Sequence, residues 1–534
     1  MDFNIKQIDL KLVDLKLKLQ QILQQFYKTK KVTPTNLRFK AEPLIAAFQG
    51  EILNKYTVDQ ATVFIVDQDG KGLYIVSEPE MNPEEQRVYS LLMENLFFTL
   101  KPLTKMEDPL KYVEGFMWDA AQELGIVGEV QKSFQKIRYF VIRDAFGYGP
   151  IHIPMNDPQV EEVSCTSYGN PITVIHRQLS EYDWLQTNIS FSNEDILRNF
   201  VQKLAQRTGH SVTVATPWTD AMTKEGHRLA VTFAGEVTLP GSTFCIRKFP
   251  EAPFSMAHLL QYKTLTPLMA AYFWLLTEYK GYVMVLGPMG SGKTSFLNSL
   301  LTMTDPTLKI ASIEDTNEVR IPHSGWQRFK ARHTYSITES KYDVGLFDLV
   351  KLSLRYRPDY IVVGEIRGEE IQALTQAASL GHGALCTFHA ESPEAALVRM
   401  RSPPMEVSEG GLMLIWCFAL LNRVRTYQGK VARRLLDAVE VEPKDGKLTL
   451  KRIFSWDART DTFTPQTAEE VANKSPKLKT IMRLTGWTEK ELVNELDRRA
   501  NYLQSAVDEG KLEFAEFSEA IRKFYVSSRR HESN

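Results

Sequence analysis

Apolar residues recur along the first 28 positions at alternating steps of three and four: Ile5, Ile8, Leu12, Leu15, Leu19, Ile22 and Phe26. That spacing predicts an amphipathic helix with a heptad seam. Leu10, Val13, Leu17 and Leu23 make it broader than a two-stranded zipper. The polar face carries Lys6, Lys11, Lys16 and Lys18, and Lys28, Lys30, Lys31, Arg38 and Lys40 follow. Two readings stay open for residues 1–40. One is a helix packed on its own domain or on a neighbouring subunit; the other is a docking helix for a membrane partner, drawn to an anionic leaflet. Pro34 ends the helix. From 41 to 135 the pattern mixes strands (Ala61 to Val66, Gly72 to Val76) with a helix over Pro83 to Leu96, which predicts a small α/β domain. A second unit over 136–250 reads as strands at Val160 to Cys165, Ile172 to His176 and Thr243 to Arg247, with a helix through Glu194 to Arg207. Proline and aromatic residues from Phe249 to Phe254 place a hinge over 251–261.

Beyond the hinge, 262–440 alternates strand and helix patterns in the order of a parallel sheet with crossover helices. Apolar strands are predicted at Tyr282 to Leu286, Lys309 to Ile313, Tyr360 to Val363 and Ala384 to Phe388. The tail, 441–534, has one strand-like piece (Leu448 to Phe454) and then charged helices over Thr488 to Glu509 and Leu512 to Tyr525. Its expected role is packing against the preceding domain or a partner.

Length changes the picture first, because 534 residues exceed what one core supports and call for several domains. A hydrophobic fraction of 43% and a charged fraction of 24% are those of an ordinary soluble protein. The net charge of −1 gives no whole-chain sign of a nucleic-acid binder, so no specific nucleic-acid partner is expected. The longest apolar runs, Leu265 to Leu276 and Leu412 to Leu421, are too short to span a bilayer. With no cleavable leader pattern, a cytoplasmic location is expected. Cys165, Cys245, Cys386 and Cys417 form no C-x-x-C pair and read as buried free thiols.

The chemistry concentrates after the strand at Tyr282 to Leu286. Gly287, Pro288, Met289, Gly290, Ser291, Gly292, Lys293 and Thr294 fit the G-x-x-x-x-G-K-[ST] phosphate loop, and a helix pattern follows at once. The glycines let backbone wrap phosphates, the helix N-terminus aims its free N–H groups at them, Lys293 reaches the β/γ oxygens and the Thr294 hydroxyl ligates Mg²⁺. Two carboxylate groups end later strands: Glu314, Asp315 and Glu318 after the second, and Glu365 after the third. His382 and His389 flank the fourth. Each histidine alone reads as structural; as a pair beside a phosphate loop they read as functional. Phosphoryl transfer to water needs charge neutralised and a water aligned, which a lysine, Mg²⁺ and a carboxylate supply.

Four blocks carry a family resemblance: the phosphate loop; Ile313 to Arg320, similar to an Asp box; Leu354 to Glu370 around a Walker B element; and Gly381 to Ala390, similar to a His box. Together they resemble the secretion ATPases of type II and type IV systems, most of all the archaeal branch that drives type IV pili and the archaellum. Arg143 to Ile151 and Ser402 to Met405 carry the archaeal flavour. The resemblance spans about 75–534. It implies an α/β fold with a RecA-like motor domain, preceded by α/β N-terminal domains and followed by a helical extension. It also implies ATP and Mg²⁺ as cofactors, a homo-hexamer, a polytopic membrane platform protein, regulatory cytosolic partners and a peripheral place at the membrane's inner face. Glu318 would be the catalytic carboxylate, Glu365 would support the Mg²⁺ and water shell, and His382 and His389 would sense the γ-phosphate. Arg228 and Arg247 would clamp that phosphate, while Arg355, Arg357 and Arg367 are candidates for action across subunits. Thr316-Asn317 stands where many bacterial members have proline-isoleucine. Two rival functions remain at this point: a DNA- or protein-translocating ATPase of a conjugation-like type IV system, and a nucleotide-gated scaffold without turnover.

Overall fold

A computed structural model describes residues 50–99, 109–177, 179, 182–249, 252–332, 343–427, 429–444 and 447–532. The amphipathic helix expected over 1–40 lies outside them. The chain divides into two compact units between Lys248 and Phe249.

Among the described residues the first unit has nine strands: β1 (Glu51–Val58), β2 (Ala61–Gln68), β3 (Lys71–Ser77), β4 (Val160–Cys165), β5 (Pro171–His176), β6 (Leu185–Ser190), β7 (Trp218–Met222), β8 (Arg228–Thr232) and β9 (Thr243–Arg247). They form one sheet in the order β1-β2-β3-β6-β5-β4-β9-β8-β7. The boundary expected at 135/136 therefore does not divide it, because β3 and β6 join in parallel, with Leu73 opposite Gln186 and Tyr74 opposite Thr187. Alternation in β4, β8 and β9 turns Val163, Leu229, Val231, Phe244 and Ile246 into the core. There they meet Leu197, Val201 and Leu204 of the helix Glu194–Arg207. The Asn193 side chain starts that helix by accepting the Ile196 N–H at 3.0 Å.

The second unit holds β10 (Tyr282–Leu286), β11 (Ile310–Glu314), β12 (Trp326–Lys330), β13 (Tyr360–Ile366), β14 (Gly383–Phe388), β15 (Ile415–Arg425), β16 (Val431–Lys444), β17 (Lys447–Asp457) and β18 (Thr462–Thr464). Their order is β12-β11-β13-β14-β10-β15-β16-β17-β18. The pairs from β12 to β15 are parallel and those from β15 to β18 antiparallel. β10, β11, β13 and β14 are apolar almost throughout, as strands covered on both faces must be. This is the α/β sheet of the RecA-like domain expected from the sequence, and two apolar cores lie on its two faces.

Two expected boundaries move. Residues 256–261 of the expected hinge form a helix, and its cap Ser255 donates to the Leu512 carbonyl at 2.5 Å, so they belong to the second unit's core. The division at 440/441 falls inside β16. The tail helices Glu489–Asp508 and Phe514–Glu532 pack Leu492, Leu496, Leu503, Phe517 and Ile521 into the core shared with the helix Pro267–Glu278. Buried Arg499 joins them, ion-paired to Glu278 and Glu495 and lying over the Trp274 ring. Among the described residues no helix is long and apolar enough to cross a membrane.

Candidate active site

Parallel register decides which residues meet. Leu286 of β10 lies opposite Phe388 of β14, and Ile313 of β11 opposite Val363 of β13. The segments leaving the carboxyl ends of these strands therefore share one edge, and they carry the phosphate loop, the acid block, Glu365 and His389. The loop runs into the helix Lys293–Leu301, which buries Phe296, Leu297, Leu300 and Leu301. Gly287 must be glycine here, since a Cβ would lie 2.3 Å from the Leu421 carbonyl oxygen and 2.5 Å from Ser291 Oγ.

Lys293 is 8% exposed, and its Nζ donates to the Gly287 and Pro288 carbonyls at 3.0 and 2.9 Å. It also lies 3.3 Å from His389 Nδ1, while His389 Nε2 is 3.0 Å from Glu365 Oε1. A lysine on one nitrogen and a carboxylate on the other assign the ring its Nε2–H tautomer. Burial, then the Lys293 ammonium, hold the His389 pKa below its usual value. Glu365 is also ordered by Arg367 at 2.7 Å. Burial raises its pKa, but Arg367, His389 and Lys293 outweigh that and keep the carboxyl below its usual range.

Glu318 and Thr294 meet directly, with the threonine hydroxyl donating to Glu318 Oε2 at 3.1 Å. The Glu318 turn is held by Glu314, whose Oε1 accepts the N–H groups of Glu318 and Val319, both at 2.8 Å. Burial pushes the Glu314 carboxyl up to about 7 in spite of those two donors.

Ser291 Oγ is buried within the loop with no hydrogen-bond partner. An orphaned hydroxyl beside a lysine folded onto its own loop's carbonyls fits a polyphosphate chain, which supplies acceptors to both. The Thr294 hydroxyl beside a carboxylate suits a hard cation shared with phosphate oxygens.

His382 corrects the expectation for the histidine pair. It precedes β14, and Tyr282 opposite Ala384 puts it at the sheet's amino-end edge. Its Nδ1 is 2.7 Å from the Pro358 carbonyl oxygen. Six residues of strand separate it from His389, about 20 Å, so it does not join the phosphate-loop cluster. Arg228 and Arg247 belong to the first unit, on the solvent side of its sheet, and are directly opposed in the β8–β9 register. Arg228 ion-pairs Asp220 at 2.6 Å. Reading the sequence missed Asn298, one turn after Thr294, and Arg433, whose Nε donates to the Gly290 carbonyl at 3.0 Å. Asn298 stands four residues after Thr294, hence on its helix face, which was a visible signal for the first; nothing local marked the second.

The family model for the type II/IV secretion system protein matches residues 173–468. The chain belongs to that family. The matched span of this secretion-system protein takes in Arg228, Arg247 and the whole phosphate-loop edge. Uncharacterized protein MJ0900 of Methanocaldococcus jannaschii is 30% identical over 483 residues, 85% of each chain. Uncharacterized protein MJ1287 of the same organism is 39% identical over 270 residues, covering 50% of this chain and 96% of its own. A putative conjugal transfer protein of Mycobacterium tuberculosis, MT3759, is 29% identical over 228 residues, 41% of this chain and 63% of its own.

Proposed function

We propose that this chain is an ATP hydrolase that works as a homo-hexameric ring at the cytoplasmic face of the membrane. There it powers assembly of type IV pilus-like filaments, adhesive pili or an archaellum, by acting on a polytopic platform protein under cytosolic regulators. The observation that carries the hydrolase reading is the meeting of Lys293, Thr294, Glu318, Glu365 and His389 at one sheet edge. The archaeal-type stretches Arg143 to Ile151 and Ser402 to Met405 support the filament reading.

On this reading the polyphosphate lies along Gly287 to Thr294, and Lys293 exchanges the loop carbonyls for β/γ oxygens. Glu318 orients the attacking water and takes its proton. His389 sits between Lys293 and Glu365 and hydrogen-bonds near the γ-phosphate. Thr294 would hold Mg²⁺ directly and Glu365 through water; the ion, when bound, neutralises charge on the β/γ oxygens. Arg228 and Arg247 are assigned the γ-phosphate contact. This assignment rests on the family resemblance and on their side-by-side register in β8 and β9; Arg228 would have to exchange its Asp220 partner for the phosphate.

The test is phosphate release from ATP by the purified chain and by Glu318→Gln, together with electron microscopy of host cells carrying Glu318→Gln. Hydrolysis that the substitution lowers steeply to a small residual rate, with loss of thick motility filaments or thin adhesive fibres, is expected. Retained filaments and swimming would reject the filament role. The conjugal-transfer name of the mycobacterial relative favours one second reading, translocation of DNA or protein, and stimulation of hydrolysis by DNA would select it.

A further inference from the structure

Asn298 lies on the phosphate helix four residues after Thr294, hence on the same face one turn along. It is 4% exposed, and its amide makes two bonds to the acid block. Nδ2 donates to the Glu318 carbonyl at 3.2 Å, and Oδ1 accepts the Arg320 N–H at 2.9 Å. The opposite amide orientation would set donor against donor and acceptor against acceptor, so this one is fixed. Glu314 accepts the Glu318 and Val319 N–H groups from the other side. Two buried side chains thus hold four backbone groups of residues 318–320, a segment outside any strand. The Val319 side chain is buried as a third anchor. Between Thr294, which meets the Glu318 carboxylate, and Asn298, which meets the Glu318 backbone, one helix fixes both ends of that residue.

We propose that Asn298 is a positioning residue that ties the phosphate helix to the hydrolytic carboxylate, so that Glu318 keeps its aim only while the helix and the acid block move as one body. The inference rests on the hydrolase reading above, in which Glu318 acts on the water. Asparagine suits the task because it presents a donor and an acceptor together at short reach. Aspartate, of nearly the same size, offers only acceptors and would face the Glu318 carbonyl with one of them.

The experiment uses the full chain and compares Asn298→Ala, Asn298→Asp, Glu318→Gln and the double variant Asn298→Ala/Glu318→Gln. It measures phosphate release, affinity for a fluorescent ADP analogue and melting temperature. Expected are a kcat lowered at least about tenfold in both Asn298 variants, toward the hundredfold that a 1 Å misplacement costs, and ADP affinity within about threefold of wild type. The double variant should be no slower than Glu318→Gln alone, because Asn298 acts through that residue. If Asn298→Ala fails to fold, the near-isosteric Asn298→Asp decides the matter. Hydrolysis within twofold of wild type, a parallel fall in affinity and melting temperature, or a further loss in the double variant would overturn the positioning role. Full hydrolysis by Glu318→Gln would instead remove Glu318 from the reaction, and this inference with it, whereas no phosphate release by wild type would remove the hydrolase reading itself.

Discussion

Gly364, just before Glu365, tests whether the acid block is held as described. Its backbone carries no positive φ, so alanine is conformationally allowed there. The obstacle is packing: a Cβ on Gly364 would lie 2.9 Å from Glu314 Cγ and 3.1 Å from Glu314 Oε1. Carbon atoms rest at about 3.5 Å or more, so the Glu314 side chain must retreat by roughly 0.6 Å. It is buried, and its Oε1 already serves two N–H groups. Overpacking costs about 1–3 kcal/mol, and a weakened hydrogen bond to a charged group adds about 1.5–3 kcal/mol. Gly364→Ala should therefore destabilise the second unit by about 2.5–6 kcal/mol in a urea melt, and should slow phosphate release as the Glu318 turn shifts. The clash requires the glutamate, so in a Glu314→Ala background the added methyl should cost under about 0.5 kcal/mol. That coupling is what a double-mutant cycle measures between touching residues. An equal cost in both backgrounds would refute the reasoning.

Two further outcomes follow from the same geometry. Moving the Glu314 carboxyl from 4.5 in the unfolded chain to about 7 when folded corresponds to about 3 kcal/mol. Because the folded value is the higher one, this contribution is complete below pH 4.5 and is lost as pH rises through 7. Urea melts across that window should show wild type losing stability relative to Glu314→Gln, and parallel pH curves would count against a buried titrating acid. His389→Ala should lower kcat by about tenfold or more, as expected for a group near the reacting phosphate, whereas His382→Ala should leave kcat within about twofold of wild type; equal losses of kcat would contradict their separation across the sheet.

What could be read from the chain follows from the range of each interaction. The strand–loop–helix turn over 287–294 was legible because its conformation is set by glycine positions within eight residues. The helix Glu194–Arg207 was legible from its cap and its period. The single sheet of the first unit was not, since β3 and β6 are more than a hundred residues apart and nothing local announces their pairing. The separation of the histidines was legible and was misread. A residue just before a strand and one just after it must lie at opposite edges, and closeness in sequence was taken for closeness to the phosphates. The grip of Glu314 and Asn298 on the Glu318 turn depends on side-chain directions that spacing does not give.

The hydrogen bonds of the site also say how it should respond to phosphate. Lys293 is satisfied by two loop carbonyls, Thr294 by Glu318 and His389 by Glu365. Binding phosphate is then an exchange of partners rather than a filling of vacancies, and its free energy is the difference between two satisfied arrangements. Ser291 is the exception, with a buried hydroxyl that has nothing to lose. On the proposed reading the exchange would free the Glu318 carboxylate from the Thr294 hydroxyl, while Glu314 and Asn298 hold its backbone. A carboxylate that gains freedom at its tip and none at its root would be suited to take a proton from an attacking water.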